Sequence, residues 1–138
     1  MTVAFVGLGS NLDNPVRQVE SALGELDTLP QTRLLKRSSL YRTAPVGYAD
    51  QPDFINAVAQ LETELAAERL LEELQAIESR HGRVRTFPNA PRTLDLDLLL
   101  FGEVVLQSER LTLPHPRMHE RSFVLDPLRE IAPDLKIP

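Results

Sequence analysis

Val3-Ala4-Phe5-Val6-Gly7-Leu8 is an almost unbroken apolar run near the start of the chain, and its reading decides the fold. Six residues are too few to cross a bilayer, and no basic flank precedes them. A run of this length, rich in β-branched and aromatic residues, predicts a central strand covered on both faces. Gly9-Ser10-Asn11 breaks it. Asn14-Pro15 then supplies an N-cap and a first helical residue. Val16, Val19, Leu23 and Leu26 recur at helical spacing, which predicts a helix from Pro15 to Asp27.

Leu34 to Tyr41 predicts a second, less buried strand. Thr43-Ala44-Pro45-Val46-Gly47 ends it, because proline lacks a donor and glycine favours a turn. Phe54 to Leu61 alternates, with Ile55, Ala57, Ala59 and Leu61 on one face and Phe54, Asn56, Val58 and Gln60 on the other. Leu70, Leu74 and Ile77 mark a second helix, Ala66 to Arg80, with Gly82 as its C-cap. Leu94 to Phe101 is a fourth strand that turns Leu96, Leu98 and Leu100 into the core. Val104-Val105-Leu106 and Leu111-Thr112-Leu113 read as a short hairpin, and Asp126-Pro127 as the start of a last helix reaching Ile131. The order β-α-β-β-α-β predicts an α+β, ferredoxin-like sandwich with an appended C-terminal hairpin and short helix. At 138 residues the chain has the size of a single domain, 1–138. That fold hosts many functions and selects none.

Composition narrows the field. The chain has no Cys, so disulfides and thiolate metal sites are excluded and any metal is held by oxygen or imidazole. With no secretory pattern either, the expected location is the cytoplasm. A net charge of −5 argues against nucleic-acid binding. Between positions 80 and 92, however, stand Arg80, His81, Arg83, Arg85 and Arg92 with no carboxylate among them. One concentrated arginine segment in an acidic protein suits a small polyanion.

Asp95-Leu96-Asp97 is the strongest local feature. Residues two apart on a strand face the same way, about 6.6 Å apart along the chain. Two carboxylates so placed can hold a pair of hard divalent ions, and Mg²⁺ is the natural candidate. The same pattern also suits an ordinary amphipathic strand with two solvated Asp. The neighbouring Arg83, Arg85 and Arg92 favour the metal reading, because anion-binding forks beside metal-binding carboxylates are what phosphoryl chemistry requires. No P-loop sequence occurs. Gly7-Leu8-Gly9-Ser10 lacks the third glycine of a dinucleotide fingerprint and reads as a tight turn. His115, near Arg110, Arg117 and Arg121, is open to a structural or a functional role. Phe54 and Phe123, with Asn56, could clamp a flat, hydrogen-bonding heterocycle or could equally be core residues.

Several stretches together resemble the 6-hydroxymethyl-7,8-dihydropterin pyrophosphokinase family. They are Gly7-Leu8-Gly9-Ser10-Asn11-Leu12, Tyr41-Arg42-Thr43-Ala44-Pro45-Val46-Gly47, Asp53-Phe54-Ile55-Asn56-Ala57, Gly82-Arg83-Val84-Arg85, Pro91-Arg92-Thr93-Leu94-Asp95-Leu96-Asp97, the run from Pro114 to Arg121, Phe123-Val124-Leu125 and Glu130-Ile131-Ala132-Pro133. They come in the family's order and cover nearly the whole chain; the Pro-Arg-Thr-Leu-Asp-Leu-Asp run is the most specific.

The resemblance implies transfer of pyrophosphate from ATP to the hydroxymethyl group of the pterin, releasing AMP, with two Mg²⁺ on Asp95 and Asp97. It implies phosphate contacts from Arg83, Arg85, Arg92, Arg110, His115 and Arg121, with Arg92 serving the transition state, and Gln75, Leu98, Leu111 and Thr112 around the nucleotide. The pterin would sit between Phe54 and Phe123, its edge read by Asn56 and the backbone of Thr43, Ala44, Pro45 and Val46. The chain would act as a monomer on small molecules only, without nucleic acid or membrane. The Arg loop, where some members carry an aromatic residue, reads Thr86-Phe87-Pro88-Asn89-Ala90 here, Pro116 stands where some have Tyr, and many members continue past Pro138. A non-catalytic sensor would be expected to lack a metal ligand or a phosphate arginine, and an RNA-binding module to show exposed aromatics on a basic sheet; this sequence does neither.

Overall fold

In the computed structural model, which describes residues 1–45, 49–82 and 93–138, the apolar run becomes β1 (Thr2–Ser10) and lies inside the sheet. It pairs antiparallel with β4 (Phe54–Thr63) on one side and with β5 (Asp95–Phe101) on the other. β2 (Thr32–Arg37) and β3 (Tyr41–Thr43) both pair with the far side of β4, so the order is β2-β4-β1-β5 with β3 beside the start of β4. A strand flanked on both sides has two faces to cover. Ala4, Val6 and Leu8 point to the side of α1 (Pro15–Leu26) and α2 (Ala67–Arg80), where they pack with Leu23, Leu26, Leu70, Leu74 and Ile77. Phe5 points to the other side, with Val58, Leu99 and Leu100, under Val124, Leu128 and Ile131 of α3 (Ser122–Ile131). Each fully buried Val, Leu, Ile or Phe among them contributes about 1.5–3 kcal/mol. The fold is thus a mixed α/β arrangement with an antiparallel sheet and three helices among the described residues. None of those helices is long and apolar enough to cross a membrane.

Local reading and structure part at four places. β1 continues through Gly9 and Ser10, so the expected tight turn is strand. The expected second strand is broken at Ser38, and Thr43, expected in the loop, closes β3. Ser38 replaces a stretch of ladder: its N–H donates to Val58 O at 2.9 Å, and its Oγ accepts from Val58 N at 2.9 Å. On β5 the pairing shifts between Phe5 and Val6, which face Leu100 and Leu98, leaving Leu99 as an extra residue. Leu100 therefore joins Leu99 on the α3 side instead of sharing a face with Leu96 and Leu98. Finally, α3 starts at Ser122, with Pro127 inside it. Burying Val124, Leu128 and Ile131 on the sheet outweighs the one backbone bond the proline removes. Smaller differences are an Asn14 that precedes α1 in a left-handed conformation without a side-chain cap, and a hairpin reduced to β6 (Leu106–Gln107) and β7 (Thr112–Leu113).

Polar side chains fasten the seams. His81, at the end of α2, bonds Gln18 Oε1 at 2.5 Å through Nδ1 and Glu25 through Nε2, joining α2 to α1. Glu130, near the end of α3, accepts from Tyr41 Oη at 2.7 Å, Ser39 Oγ at 2.8 Å and Ser39 N at 3.0 Å, joining α3 to the sheet edge. The Tyr41 and Ser39 bonds hold the Glu130 carboxyl below its ordinary 4.5, and Glu130 in turn raises the Tyr41 phenol. A depressed carboxyl contributes stability above its unfolded pKa and loses it as pH falls through the lower folded value. Glu130→Gln is accordingly expected to melt below the wild type at pH 7, with the difference in Tm closing as the pH is taken below 4.5; a difference independent of pH would assign the effect to packing.

Candidate active site

One cavity opens on the α3 side of the sheet. Its floor is set by strand register. On β1, Gly7 and Gly9 face this side; Gly9 stands opposite Asn56 of β4 and opposite Asp95 of β5, and Gly7 opposite Asp97. Period two puts Asp95 and Asp97 on the same face as the two glycines, and both are half-buried. Gly7 and Gly9 put no side chain of β1 between the amide on one strand and the carboxylates on the other. Phe54 and Thr43 close the cavity at one end, from β4 and β3. Arg121 and Phe123 close it from the start of α3, the guanidinium lying 5.5 Å from the Phe123 ring centre.

Asn56 is almost fully buried, and its Nδ2 donates to Thr43 Oγ1 at 2.6 Å. Asn11, buried just past β1, donates from Nδ2 to Gln51 Oε1 at 2.8 Å and to Pro52 O at 3.0 Å, fastening the end of β1 to the residues that lead into β4. Behind the carboxylates, the buried Glu78 of α2 accepts from Leu96 N at 2.8 Å. This occupies an outward-facing donor of β5, and it does so between the two Asp.

His115 lies beside the floor, its Nε2 3.9 Å from Asp97 Oδ1. Arg117 N donates to His115 Nδ1 at 3.3 Å, which assigns the ring proton to Nε2, on the Asp97 side. Burial, then Arg121, lowers the His115 pKa below 6.5, while Asp95 acts the other way. At 3.9 Å the Asp97 contact is too long for a hydrogen bond, so desolvation decides and the ring is mainly neutral at pH 7.

The structure brings together Thr43, Ala44, Phe54, Asn56, Asp95, Asp97, Arg121 and Phe123, all proposed from sequence. Pro45, half-buried, follows Ala44 outside the lining. Gln75, Leu98, Arg110, Leu111 and Thr112 lie elsewhere, around the outer edge of β5. Gln75 is exposed on α2, Arg110 reaches Glu72 of α2 at 3.8 Å, and Thr112 opens β7. Leu98 and Leu111 are buried in the core under α1 and α2, so Leu98 can meet a ligand only through its main chain. Val46, Arg83, Arg85 and Arg92 fall outside the described residues. The cavity adds Gly7, Gly9, Arg117, Glu120 and Ser122. A pair of glycines two apart in an apolar strand was a legible signal for the first two; the others depend on where α3 begins.

Chemically, two same-face carboxylates suit a hard divalent cation. Among the described residues no group of three or more His, Asp or Glu could cage one. A cation held by these two would complete its shell with water and ligand oxygens, as Mg²⁺ does.

A model of the 7,8-dihydro-6-hydroxymethylpterin-pyrophosphokinase family matches residues 5–133. The chain is 52% identical over 138 residues to the 2-amino-4-hydroxy-6-hydroxymethyldihydropteridine pyrophosphokinase of Haemophilus influenzae, covering 100% of this chain and 86% of that one. It is 54% identical over 134 residues to the protein of the same name from Pseudomonas aeruginosa, covering 97% and 83%. In three dimensions it is similar to a crystal structure of Plasmodium falciparum HPPK-DHPS, with a TM-score of 0.74 over 99% of this chain and 41% of that longer one; at 16% identity the likeness is one of fold.

Asp97→Ala is expected to keep the wild-type circular dichroism and to lose divalent-cation binding, followed by Mn²⁺ titration with electron paramagnetic resonance. Unchanged Mn²⁺ affinity would remove Asp97 from the metal site.

Proposed function

The chain belongs to the 7,8-dihydro-6-hydroxymethylpterin-pyrophosphokinase family, and from that premise we propose how its cavity carries the reaction. The protein is an ATP-dependent pyrophosphokinase of folate biosynthesis that acts on 6-hydroxymethyl-7,8-dihydropterin. One observation supports the site reading above the rest: a single cavity has paired carboxylates on its floor and aromatic walls beside a buried carboxamide. A flat polar heterocycle fits the aromatic part, and a polyphosphate the carboxylate part.

In this reading the pterin ring lies between Phe54 and Phe123, and Asn56 with the main chain of Thr43 to Val46 reads its edge. Asp95 and Asp97 would hold two Mg²⁺, which would supply neutralisation of phosphate charge for an in-line displacement. Arg83, Arg85, Arg92, Arg110, His115 and Arg121 take the phosphate oxygens, and Gln75, Leu111, Thr112 and the main chain of Leu98 surround the nucleoside. The substrate hydroxymethyl oxygen bonds to the β-phosphorus as the bond from that phosphorus to the α-bridging oxygen breaks. AMP leaves, and the hydroxyl proton passes to solvent. Fixing both substrates in line supplies most of the rate, since the transferring group needs positioning and charge stabilisation more than covalent help. His115, its pKa lowered by burial, donates from Nε2 to a phosphate oxygen.

The same reading assigns the ferredoxin-like class, supported by the strand order and by α1 and α2 sharing one face. It takes the chain to work as a cytoplasmic monomer.

Incubation with Mg-ATP and the pterin should yield AMP only when the pterin is present, identified by anion-exchange chromatography. ADP as product would overturn the pyrophosphoryl assignment. Arg92→Ala should lower kcat by roughly 10²–10³-fold, with a smaller change in KM, if its charge serves the transition state. A change confined to KM would make it a binding residue only.

A further inference from the structure

Gly9 is the next-to-last residue of β1, still within the ladder, where nothing in the backbone asks for glycine. It is paired on both sides, to Asn56 and to Asp95, and it is not among the glycines of positive φ, which among the described residues are Gly82 and Gly102. Glycine weakens a strand, so its presence in one calls for a reason such as a close approach. A Cβ at Gly7, two residues earlier on the same face, would meet Leu99 at 3.5 Å, an ordinary packing distance. A Cβ at Gly9 would lie 2.9 Å from Asn56 Oδ1 and 4.0 Å from the Phe54 ring. The first distance is below contact, and Asn56 has little room to yield: it is almost fully buried, and its Nδ2 is tied to Thr43 Oγ1. The carboxamide therefore spans the sheet from Thr43 on one side to the bare backbone of Gly9 on the other.

We propose that Gly9 is a specificity-determining residue: its missing side chain, together with the Thr43 tether, sets the Asn56 carboxamide in the one orientation that presents Oδ1 as an acceptor to the N–H edge of a flat heterocycle. This rests on the reading of the cavity as the pterin site. The amide offers Oδ1 and the second Nδ2–H side by side, which matches an adjacent donor and acceptor on a lactam-type ring edge. A methyl at position 9 turns the amide away and leaves a buried polar pair mismatched, the kind of error that discriminates strongly between ligands.

The test is a double-mutant cycle read by titration of 6-hydroxymethyl-7,8-dihydropterin in the presence of a non-hydrolysable ATP analogue. Gly9→Ala should weaken pterin binding by about tenfold or more, with affinity for the analogue unchanged. In an Asn56→Ala background the same Gly9→Ala change should cost nothing further, because the added methyl has no amide to meet. Equal losses in both backgrounds, or no loss in either, would overturn the proposal. Should Gly9→Ala prove unstable, Gly9→Ala with Asn56→Ala is expected to regain the Tm of Asn56→Ala alone; failure to do so would place the clash elsewhere and also overturn it. A wild-type chain that does not bind the pterin would count against the functional reading instead.

Discussion

The antiparallel pairing of β1 with both β4 and β5 is the constraint on which the rest of the structure depends. Through it Gly9 aligns with Asn56 on one neighbour and Asp95 on the other, and Gly7 aligns with Asp97. Side chains 39 and more positions apart in the chain are thereby set on one face, across a strand that contributes no side chain between them. A slip of one residue in either pairing would turn Asn56 or both carboxylates to the opposite face, under the helices. The apolar residues of β1 guard against that slip, because Ala4, Val6 and Leu8 belong to one core and Phe5 to the other.

The two faces of the sheet do different work. Under α1 and α2 the packing is apolar and closed, with His81 bonding across the helix pair. Over the other face α3 covers only one end, where Val124, Leu128 and Ile131 bury Phe5, Val58, Leu99 and Leu100. Beyond the start of α3 the sheet is open among the described residues, and that opening is the cavity. The residues at the helix start, Arg121 and Phe123, become its wall for this reason, while Glu130 fastens the far end of the same helix to Ser39 and Tyr41. The bulge at Leu99 adds to the arrangement: two successive leucines turn to the α3 side and fill the space next to the Asp95–Asp97 pair.

Polar groups near the floor are held by hydrogen bonds rather than left to find their own positions. Glu78 holds the Leu96 N–H between the two Asp, Arg117 N holds His115 Nδ1, and Thr43 holds Asn56. Preorganisation of this kind removes reorganisation from the reaction itself, which is how fixed dipoles and charges gain rate.

Sequence alone determined what depends on neighbours along the chain. The apolar run predicted a strand with two covered faces, the alternation of Phe54 to Leu61 predicted which residues share a face, and period two placed Asp95 beside Asp97. The motif runs were enough to indicate the family, and the expected Phe54, Asn56, Asp95, Asp97, Arg121 and Phe123 all line one cavity. What depends on partners far away in the chain was decided only by the tertiary structure. Asp126-Pro127 has the local chemistry of a helix start, yet α3 begins at Ser122 because burial of its apolar stripe is worth more than a cap. Leu100 alternates with Leu98 on paper, yet the register with β1 inserts Leu99 and changes its side. Gly9 reads as a turn residue by its neighbours, yet it is strand, and the space it leaves is defined by an amide from another strand. Period and propensity act over a few residues; register, bulges and the space beside a missing Cβ exist only once distant strands are paired.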